Sequence, residues 1–456
     1  MSAIAGASCS GVAVVRQQQQ QQPRGRRCSA RRHGGALKPA SVAPAFQRAA
    51  SSSRHCIRQT VCTATPEARS PFKAQRNPAF PFTKIIGQDD MKLALLLNVV
   101  DRNIGGVLIM GDRGTAKSVS VRALVEMLPE IDVVPDDPFN SSPTDPAYMG
   151  PECLEAFQRG ETLPSVKART PLVELPLGAT EDRICGTIDI EKALMEGKKA
   201  YEPGLLAAAN RGILYVDEVN LLDDGLVDVV LDSAAGGLNT VEREGISLVH
   251  PAKFIMVGSG NPEEGEMRPQ LLDRFGLKVS VSTLMDIQQR TELVLNRMAY
   301  DKDPVKFAES AEEDQAVLRE RLQQARELLP KVAIPYDIKL QISEVCSKCD
   351  VDGLRGDLVT NRAAAALVAL EGRTEVTLDD VGRVIGLCLA HRMRKDVMDG
   401  LDNGAKVAQM FRRVADPEVR EREAAAAKAK AEAAAQAEKE GDKRAGKKAG
   451  AWGGLP

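Results

Sequence analysis

Short apolar runs alternate with longer helix-like segments between about residues 82 and 282. Strand-like runs separated by helix-length segments are typical of βαβ units, whose strands lie parallel in one sheet. The pattern therefore predicts an α/β fold with a five-stranded parallel sheet. The predicted strands are Val107–Met110, Leu172–Leu175, Ile213–Val216, Phe254–Gly258 and Leu277–Val281.

Two stretches interrupt this alternation. Residues 135–151 are rich in Pro and Asp and are expected to form a long loop, while residues 178–203 look like an insertion that leads into a helix at 204–210. Because long insertions in compact domains are often functional, we expect the second stretch to serve the activity of the protein.

The pattern becomes helical from Pro304 onward, with apolar residues at three- and four-residue spacing. Thr377 followed by Asp380 has the form of a helix N-cap with a nearby acid. We therefore expect a helical-bundle domain after the sheet. Its predicted helices are Gln315–Leu329, Ile338–Lys348, Leu358–Glu371 and Leu378–Met393.

A glycine-containing loop follows the first predicted strand and precedes a helix-like stretch. Such a loop aims backbone N–H groups at nucleotide phosphates, while Lys117 supplies positive charge and the Ser118 hydroxyl can reach Mg²⁺. A ligand-free turn is the alternative, but the strand–loop–helix context favours a nucleoside triphosphate site for ATP and Mg²⁺. The loop residues are Gly111, Asp112, Arg113, Gly114, Thr115, Ala116, Lys117 and Ser118.

Ala116 departs from this loop pattern, which normally carries glycine before the lysine. A Cβ there can crowd the phosphates, or the backbone can require a φ angle that alanine disfavours. We therefore expect weakened nucleotide binding or turnover relative to a glycine-containing loop.

Two acids, Asp217 and Glu218, stand at the end of the strand Ile213–Val216. Asp217 can hold Mg²⁺ through its water shell, and Glu218 can orient and deprotonate the water that attacks the γ-phosphate. An acid pair is also a common way to leave a sheet, but its place about a hundred residues after a phosphate loop favours the catalytic interpretation.

Two further polar residues follow later strands. Asn261 comes after the fourth strand, at the sheet edge where parallel sheets bind ligands, and can position the same water. Arg274 can stabilise charge on the γ-phosphate of a neighbouring subunit. The alternatives are an ordinary Asn-Pro turn for Asn261 and a surface salt bridge for Arg274.

The composition of the chain argues against nucleic acid as a partner and against a membrane span. A formal net charge of −2 gives no reason to expect nucleic acid, and no apolar run approaches the roughly 20 residues of a membrane span. Residues 1–66 are rich in Arg, Ser, Ala and Gln and carry no acid, which is typical of an organelle transit peptide, plastid first and mitochondrial second. A disordered tail with a Gln tract is the alternative.

The chain ends in an Ala-, Lys- and Glu-rich tail, residues 401–456, which is expected to be helical or disordered. Trp452 could anchor a partner there. Cys346 and Cys349 form a lone C-x-x-C without the second pair or the His of a zinc site, so their spacing is read as incidental, with a redox role open.

Residues 82 to 393 resemble the I-subunit family of magnesium chelatases, which are AAA+ ATPases. The resemblance rests on the phosphate loop, on the acid pair and on four more motifs in the same order. These are Ile86-Gly87-Gln88-Asp89, residues 186–189 with 201–206, Arg268-Pro269-Gln270-Leu271-Leu272-Asp273-Arg274-Phe275, and Asp352-Gly353-Leu354-Arg355-Gly356-Asp357.

The resemblance implies a role for each motif residue. It implies Walker A residues Lys117 and Ser118, Walker B residues Asp217 and Glu218, sensor 1 at Asn261, a trans-acting arginine finger at Arg274, sensor 2 at Arg355, and an adenine pocket at Ile85 and Ile86. It also implies a linker at 67–81, a nucleotide-binding domain at 82–300 and a helical lid at 301–400.

The family's I subunit forms hexameric rings and joins a D subunit, and this motor drives an H subunit that inserts Mg²⁺ into protoporphyrin IX for chlorophyll synthesis. The resemblance thus implies an ATPase of the chloroplast stroma. Two alternatives stay open at this point: a weakly hydrolysing regulatory isoform in mixed rings, suggested by Ala116 and the tail, and a MoxR-type protein-remodelling ATPase.

In plants the family is also thioredoxin-sensitive. Cys185 and Cys346 match cysteines implicated there, while another family cysteine is replaced by Ala94. The resemblance therefore suggests a Cys185–Cys346 disulfide that would displace the lid and Arg355.

Overall fold

The computed structural model describes residues 77–189, 200–243, 246–265, 267–393 and 403–416. The chain divides into the units Met1–Phe72 and Lys73–Pro456, and all described residues lie in the second. The predicted transit peptide, most of the linker and the tail beyond residue 416 with Trp452 lie outside the described residues.

Five parallel strands form the central sheet, in the order β11-β1-β10-β7-β4. All five match the predicted strands to within two residues, and their parallel pairing confirms the predicted fold class. Three antiparallel strand pairs, β2–β3, β5–β6 and β8–β9, accompany the sheet. The strands are β1 (Val107–Gly111), β2 (Ile131–Val133), β3 (Val166–Ala168), β4 (Leu172–Leu175), β5 (Gly186–Asp189), β6 (Ala200–Pro203), β7 (Ile213–Val216), β8 (Leu238–Arg243), β9 (Ile246–Pro251), β10 (Ile255–Gly260) and β11 (Leu277–Val281).

Helices cover the sheet and continue into a helical domain, as predicted. The helices are α1 (Asp89–Val100), α2 (Lys117–Met127), α3 (Pro151–Gln158), α4 (Glu181–Cys185), α5 (Leu205–Ala209), α6 (Asp224–Gly236), α7 (Pro269–Arg274), α8 (Ile287–Lys302), α9 (Pro304–Glu309), α10 (Glu312–Leu328), α11 (Tyr336–Lys348), α12 (Arg355–Leu370), α13 (Leu378–Leu389) and α14 (Asn403–Ala415).

Alternate strand residues face two different hydrophobic clusters, because side chains of a strand point to opposite faces. On β1, Val107 and Ile109 pack in the first cluster, whereas Leu108 packs in the second. The first cluster continues through α1 into α10, α12 and α13. One shared core therefore joins the sheet to the helical domain.

Helix α13 of the helical domain begins with the N-cap that the sequence predicts. The Thr377 hydroxyl and the Asp380 carboxylate form a reciprocal capping box, and Arg373 pairs with Asp380. Each predicted helix of this domain has an observed counterpart. Among the described residues no helix is long and apolar enough to cross a membrane.

The two interruptions of the sheet contain short secondary-structure elements. The long loop at 135–151 contains a short 3₁₀ turn before α3 begins at Pro151. The insertion at 178–203 contains α4 and the β5–β6 hairpin, and the predicted helix after it is α5. The β8–β9 hairpin was not predicted.

Candidate functional site

The phosphate loop joins β1 to α2 and is held by its own hydrogen bonds. The Thr115 hydroxyl donates to Asp112 O at 2.8 Å, and Gln88 Nε2 donates to Thr115 O at 2.8 Å. Helix α2 begins at Lys117, so its free N–H groups open at the end of the loop. This is the geometry that binds phosphate.

Gly111 is required by close packing at the start of the loop. A Cβ at this position would lie 2.3 Å from Val281 O on the neighbouring strand β11. Glycine here therefore lets the loop leave the sheet without displacing β11.

Ala116 has a left-handed backbone, with φ of 62° and ψ of 23°. An L-residue with a Cβ is disfavoured in this region because the Cβ approaches the following carbonyl oxygen. Of the two effects expected from the sequence, the structure therefore shows the second: the loop requires a φ angle that alanine disfavours.

Replacement of Ala116 by Gly is expected to raise the free energy of unfolding by about 1 kcal/mol, since glycine adopts positive φ without this cost. Thermal unfolding of the two proteins measures the difference. Ala316→Gly is the matched control: Ala316 is exposed within α10, so the same exchange should destabilise by about 1 kcal/mol. A lower melting temperature for Ala116→Gly would contradict the expectation.

Asp217 is fixed at the end of β7 by two hydroxyl groups. Tyr215 Oη donates to Asp217 Oδ1 at 2.9 Å, and Ser259 Oγ also donates to Asp217 Oδ1. Burial raises the pKa of Tyr215, which keeps its hydroxyl protonated as a donor. The carboxylate thus has a defined position beside the loop, with its other oxygen available to a cation.

Glu218 has a left-handed backbone with φ of 53°, and its N–H donates to Ser259 Oγ at 3.3 Å. A non-glycine residue in this conformation carries strain that is common at functional sites. The turn places the side chains of Asp217 and Glu218 in one cleft with the loop.

Lys117 lies between the loop and strand β10. Its Nζ donates to Gly260 O at 3.0 Å and to Gly111 O. Burial lowers the pKa of Lys117, and the charge of Asp217 opposes this change. The ammonium is therefore positioned beside both the loop and the acid pair.

Asn261 carries an unpaired amide. Its Oδ1 accepts a hydrogen bond from Glu263 N at 3.2 Å, which fixes the side chain. Its Nδ2 is buried and has no hydrogen-bond partner among the described residues. A buried donor without a partner is costly, so this amide is suited to a ligand or a water molecule in the cleft.

These groups line a cleft of about 350 Å³. It offers an ammonium, hydroxyl groups and backbone N–H groups to the phosphates of MgATP, and carboxylate oxygens to Mg²⁺. No group of three or more His, Cys, Asp or Glu side chains that could hold a metal ion occurs among the described residues, so the phosphates would supply part of the ligand set of Mg²⁺. The cleft therefore fits the predicted nucleotide and Mg²⁺. Its lining residues are Arg113, Gly114, Thr115, Ala116, Lys117, Ser118, Val119, Tyr215, Asp217, Glu218 and Asn261.

Six predicted nucleotide-site residues lie outside this lining: Gly111 and Asp112, which begin the loop, and the four described next. Ile85 and Ile86 are half-buried in the segment before α1, where Ile85 O accepts a hydrogen bond from Lys92 Nζ at 3.3 Å. Arg355 is the first residue of α12. Arg274 ends α7 and pairs with Asp228, at 3.4 Å, and with Asp232 of α6.

The structure does not bring Cys185 and Cys346 together. Cys185 packs in the second hydrophobic cluster and Cys346 in the first. Cys346 instead neighbours Cys349, Cys388 and Asp357, and burial raises its pKa. The Cys185–Cys346 disulfide suggested from the sequence therefore has no support in this conformation.

Sequence reasoning missed three residues that hold the site: Gln88, Tyr215 and Ser259. Tyr215 lies in β7 two residues before Asp217, which follows that strand, and Ser259 is the next-to-last residue of the adjacent strand β10. Strand spacing could therefore have indicated Tyr215 and Ser259, but not Gln88.

Comparison with known proteins identifies the family. Residues 187–270 match the family model described as magnesium chelatase, subunit ChlI, and residues 339–410 match the AAA lid domain. The magnesium-chelatase subunit ChlI of Synechocystis sp. is 61% identical over 350 residues, covering 77% of this chain and 98% of that protein. This chain belongs to the ChlI family.

Other ChlI proteins have a similar degree of identity to this chain. The Chlorella vulgaris protein is 62% identical over 340 residues, covering 75% of this chain and 96% of its own, and the chloroplastic rice protein is 59% identical over 361 residues, covering 78% and 87%. A solved complex of BchI and BchD of magnesium chelatase contains a chain with 47% identity and a TM-score of 0.42, covering 72% of this chain and 99% of that one.

As a ChlI family member, the chain is an ATPase subunit of magnesium chelatase with an AAA+ core and a lid. The chloroplastic ChlI relatives from rice and Chlamydomonas reinhardtii support a chloroplast location. The comparisons favour neither a MoxR-type remodelling ATPase nor a weakly hydrolysing isoform.

Proposed function

We propose that this ChlI protein hydrolyses MgATP in the cleft between the phosphate loop and Asn261, and that hydrolysis drives Mg²⁺ insertion into protoporphyrin IX on a partner subunit. The proposal rests on one observation: the phosphate loop, the acid pair Asp217 and Glu218, and the unpaired amide of Asn261 lie together at one edge of the sheet. Binding, water activation and water positioning each have a residue there.

Each predicted site residue of the subunit has one task in this proposal, whether or not it lines the cleft. Lys117 and the loop N–H groups bind the phosphates, and Ser118 and Asp217 hold Mg²⁺, which neutralises charge on the phosphate oxygens. Glu218 accepts a proton from the attacking water, and the Asn261 amide orients that water. Arg355 reports the nucleotide state, and Ile85 and Ile86 contact adenine.

Assembly completes the site. We propose a hexameric ring, homomeric or mixed, in which Arg274 of one subunit serves the nucleotide of the next. Its ion pairs with Asp228 and Asp232 leave the Arg274 side chain 31% exposed. Partly exposed pairs contribute only about 0–1 kcal/mol, so the guanidinium can exchange these carboxylates for a neighbour's phosphate at low cost. The ring would act with D and H subunits in the stroma.

Reconstitution tests the function. The chain from Glu67 onward is combined with D and H subunits, protoporphyrin IX and MgATP, and magnesium protoporphyrin is measured, with Ala116→Gly in parallel. We expect product from the unaltered chain as the only I subunit. Product only with Ala116→Gly would show that the unaltered loop does not support catalysis, and no product from either would reject the function.

Thioredoxin control is proposed for Cys346 rather than for a Cys185–Cys346 pair, because Cys346 has Cys349 and Cys388 as neighbours. Its burial and raised pKa make the thiolate scarce, so exchange should be slow in the folded protein. We expect Cys346→Ser to abolish the difference in ATPase rate between oxidised and reduced protein, and Cys185→Ser to preserve it. The reverse pattern would contradict the assignment.

A further inference from the structure

Arg392 lies just after α13, and its guanidinium holds a short segment of the AAA+ core. Its Nε donates to Asp273 Oδ1 at 3.0 Å, and its Nη2 donates to Asp273 O at 3.2 Å and to Phe275 O at 2.6 Å. Its Nη1 donates to Gly276 O at 3.1 Å and to Cys388 O. One side chain thus connects the end of α13 to residues 273–276.

The Arg392 side chain is only 1% exposed. A buried charge is tolerated only where its donors are satisfied, and here backbone carbonyls and one carboxylate satisfy them. The planar fork of arginine reaches several acceptors at once, whereas the single ammonium of lysine does not. The site is therefore specific for arginine.

The held segment brackets Arg274. Phe275 is fully buried in the second hydrophobic cluster, and its carbonyl also contacts His391 Nε2 at 3.2 Å. Burial holds the pKa of His391 well below its usual value, so the ring is neutral and can donate from Nε2. The backbone on both sides of Arg274 is thereby fixed by two residues that follow α13.

We infer that Arg392 is a positioning residue for the arginine finger: it ties Arg274 to the helical domain, so that the placement of this domain sets the placement of the finger at the neighbouring subunit's nucleotide. The inference rests on the proposed trans role of Arg274. It follows from the direct hydrogen bonds to both residues that flank Arg274. Burial lowers the pKa of Arg392, and the charge of Arg355, at the start of α12, adds a smaller effect in the same direction.

The test begins with Arg392→Gln in the full ring. Because a displacement of about 1 Å can cost roughly 10²-fold in rate, we expect a fall of that order in kcat for ATP hydrolysis. The ATP affinity of the variant should be unchanged, since its own cleft does not include Arg392. A loss confined to ATP affinity would overturn the inference, and so would an unchanged kcat.

Rings that contain two kinds of variant subunit distinguish a positioning role of Arg392 from a merely structural one. Glu218→Gln subunits have an inactive cleft but an intact finger, whereas Arg392→Gln subunits have the reverse. In equal mixture about a quarter of the sites combine an intact cleft with an intact neighbouring finger, so the hydrolysis rate should rise well above that of either variant alone. No recovery would place the defect in the variant's own cleft and overturn the inference.

Three controls complete the design. Arg383→Gln, on the helix α13 that precedes Arg392, removes a partly exposed ion pair with Glu371 and should keep full hydrolysis. Arg392→Lys should retain more stability than Arg392→Gln but the same kcat defect, which separates a loss of folding from a loss of positioning. Arg274→Ala tests the finger itself: if it has no effect, the proposed trans role fails, whatever Arg392 does.

Discussion

Replacement of Glu218 by Gln is expected to lower kcat for ATP hydrolysis by roughly 10²- to 10⁴-fold, the usual contribution of a general base. The amide keeps the size of the side chain but cannot accept the proton of the attacking water. Because Lys117, Ser118 and Asp217 are unchanged, ATP affinity should stay near that of the unaltered protein. Steady-state hydrolysis and equilibrium nucleotide binding measure the two quantities separately.

The matched control is Glu263→Gln. Glu263 also follows a strand of the same sheet edge, but its side chain is exposed, and only its backbone N–H contacts Asn261. Hydrolysis should be unaffected by this exchange. If Glu218→Gln hydrolysed ATP at the unaltered rate, the base would have to be another group of the cleft.

Arg274→Ala is expected to lower kcat by roughly 10³- to 10⁵-fold, the range over which an arginine finger acts in related phosphoryl transfers. Its own nucleotide affinity should persist, because Arg274 lies outside the cleft of its own subunit. Mixing with Glu218→Gln subunits should restore part of the hydrolysis, since each variant supplies what the other lacks. Hydrolysis is measured against mixing ratio at constant total protein.

Arg268→Ala is the control for this assignment. Arg268 precedes the same helix α7 and pairs with Asp224 on α6, the same helix that carries the partners of Arg274. Its side chain is 68% exposed, so its loss should change stability little. If Arg268→Ala removed hydrolysis and Arg274→Ala did not, the finger would be Arg268.

The central strands β1, β7 and β10 could be predicted because each contains an apolar run that is buried on both faces, and the edge strands β4 and β11 because apolar residues recur along them. The apolar periodicity that predicts helices also led to α10 through α13. Individual helices within the sheet region were harder: α1 is buried over most of its surface, so it has no clear polar face to mark it. Helix α8 has no buried residue and carries exposed apolar side chains, the opposite of the usual amphipathic pattern.

The cleft could be predicted because its residues belong to local motifs at strand ends, and parallel strands end at the same edge. Lys117, Asp217 and Asn261 therefore meet there as expected. The local sequence could not decide the backbone of Ala116: the motif predicted a possible positive φ, and the fold around the loop required it.

The sequence by itself determined the sheet, the helical domain and the prediction of a nucleotide site, because each depends on a pattern or a motif of residues that are close together in the chain. Only the tertiary structure decided which distant residues hold the site: Ser259 on Asp217, Cys388 beside Cys346, and Arg392 on the segment around Arg274. These contacts join residues tens to more than a hundred positions apart. They depend on how β10 pairs with β7, how the helices of the helical domain pack together, and how this domain packs against the sheet, none of which a local pattern specifies.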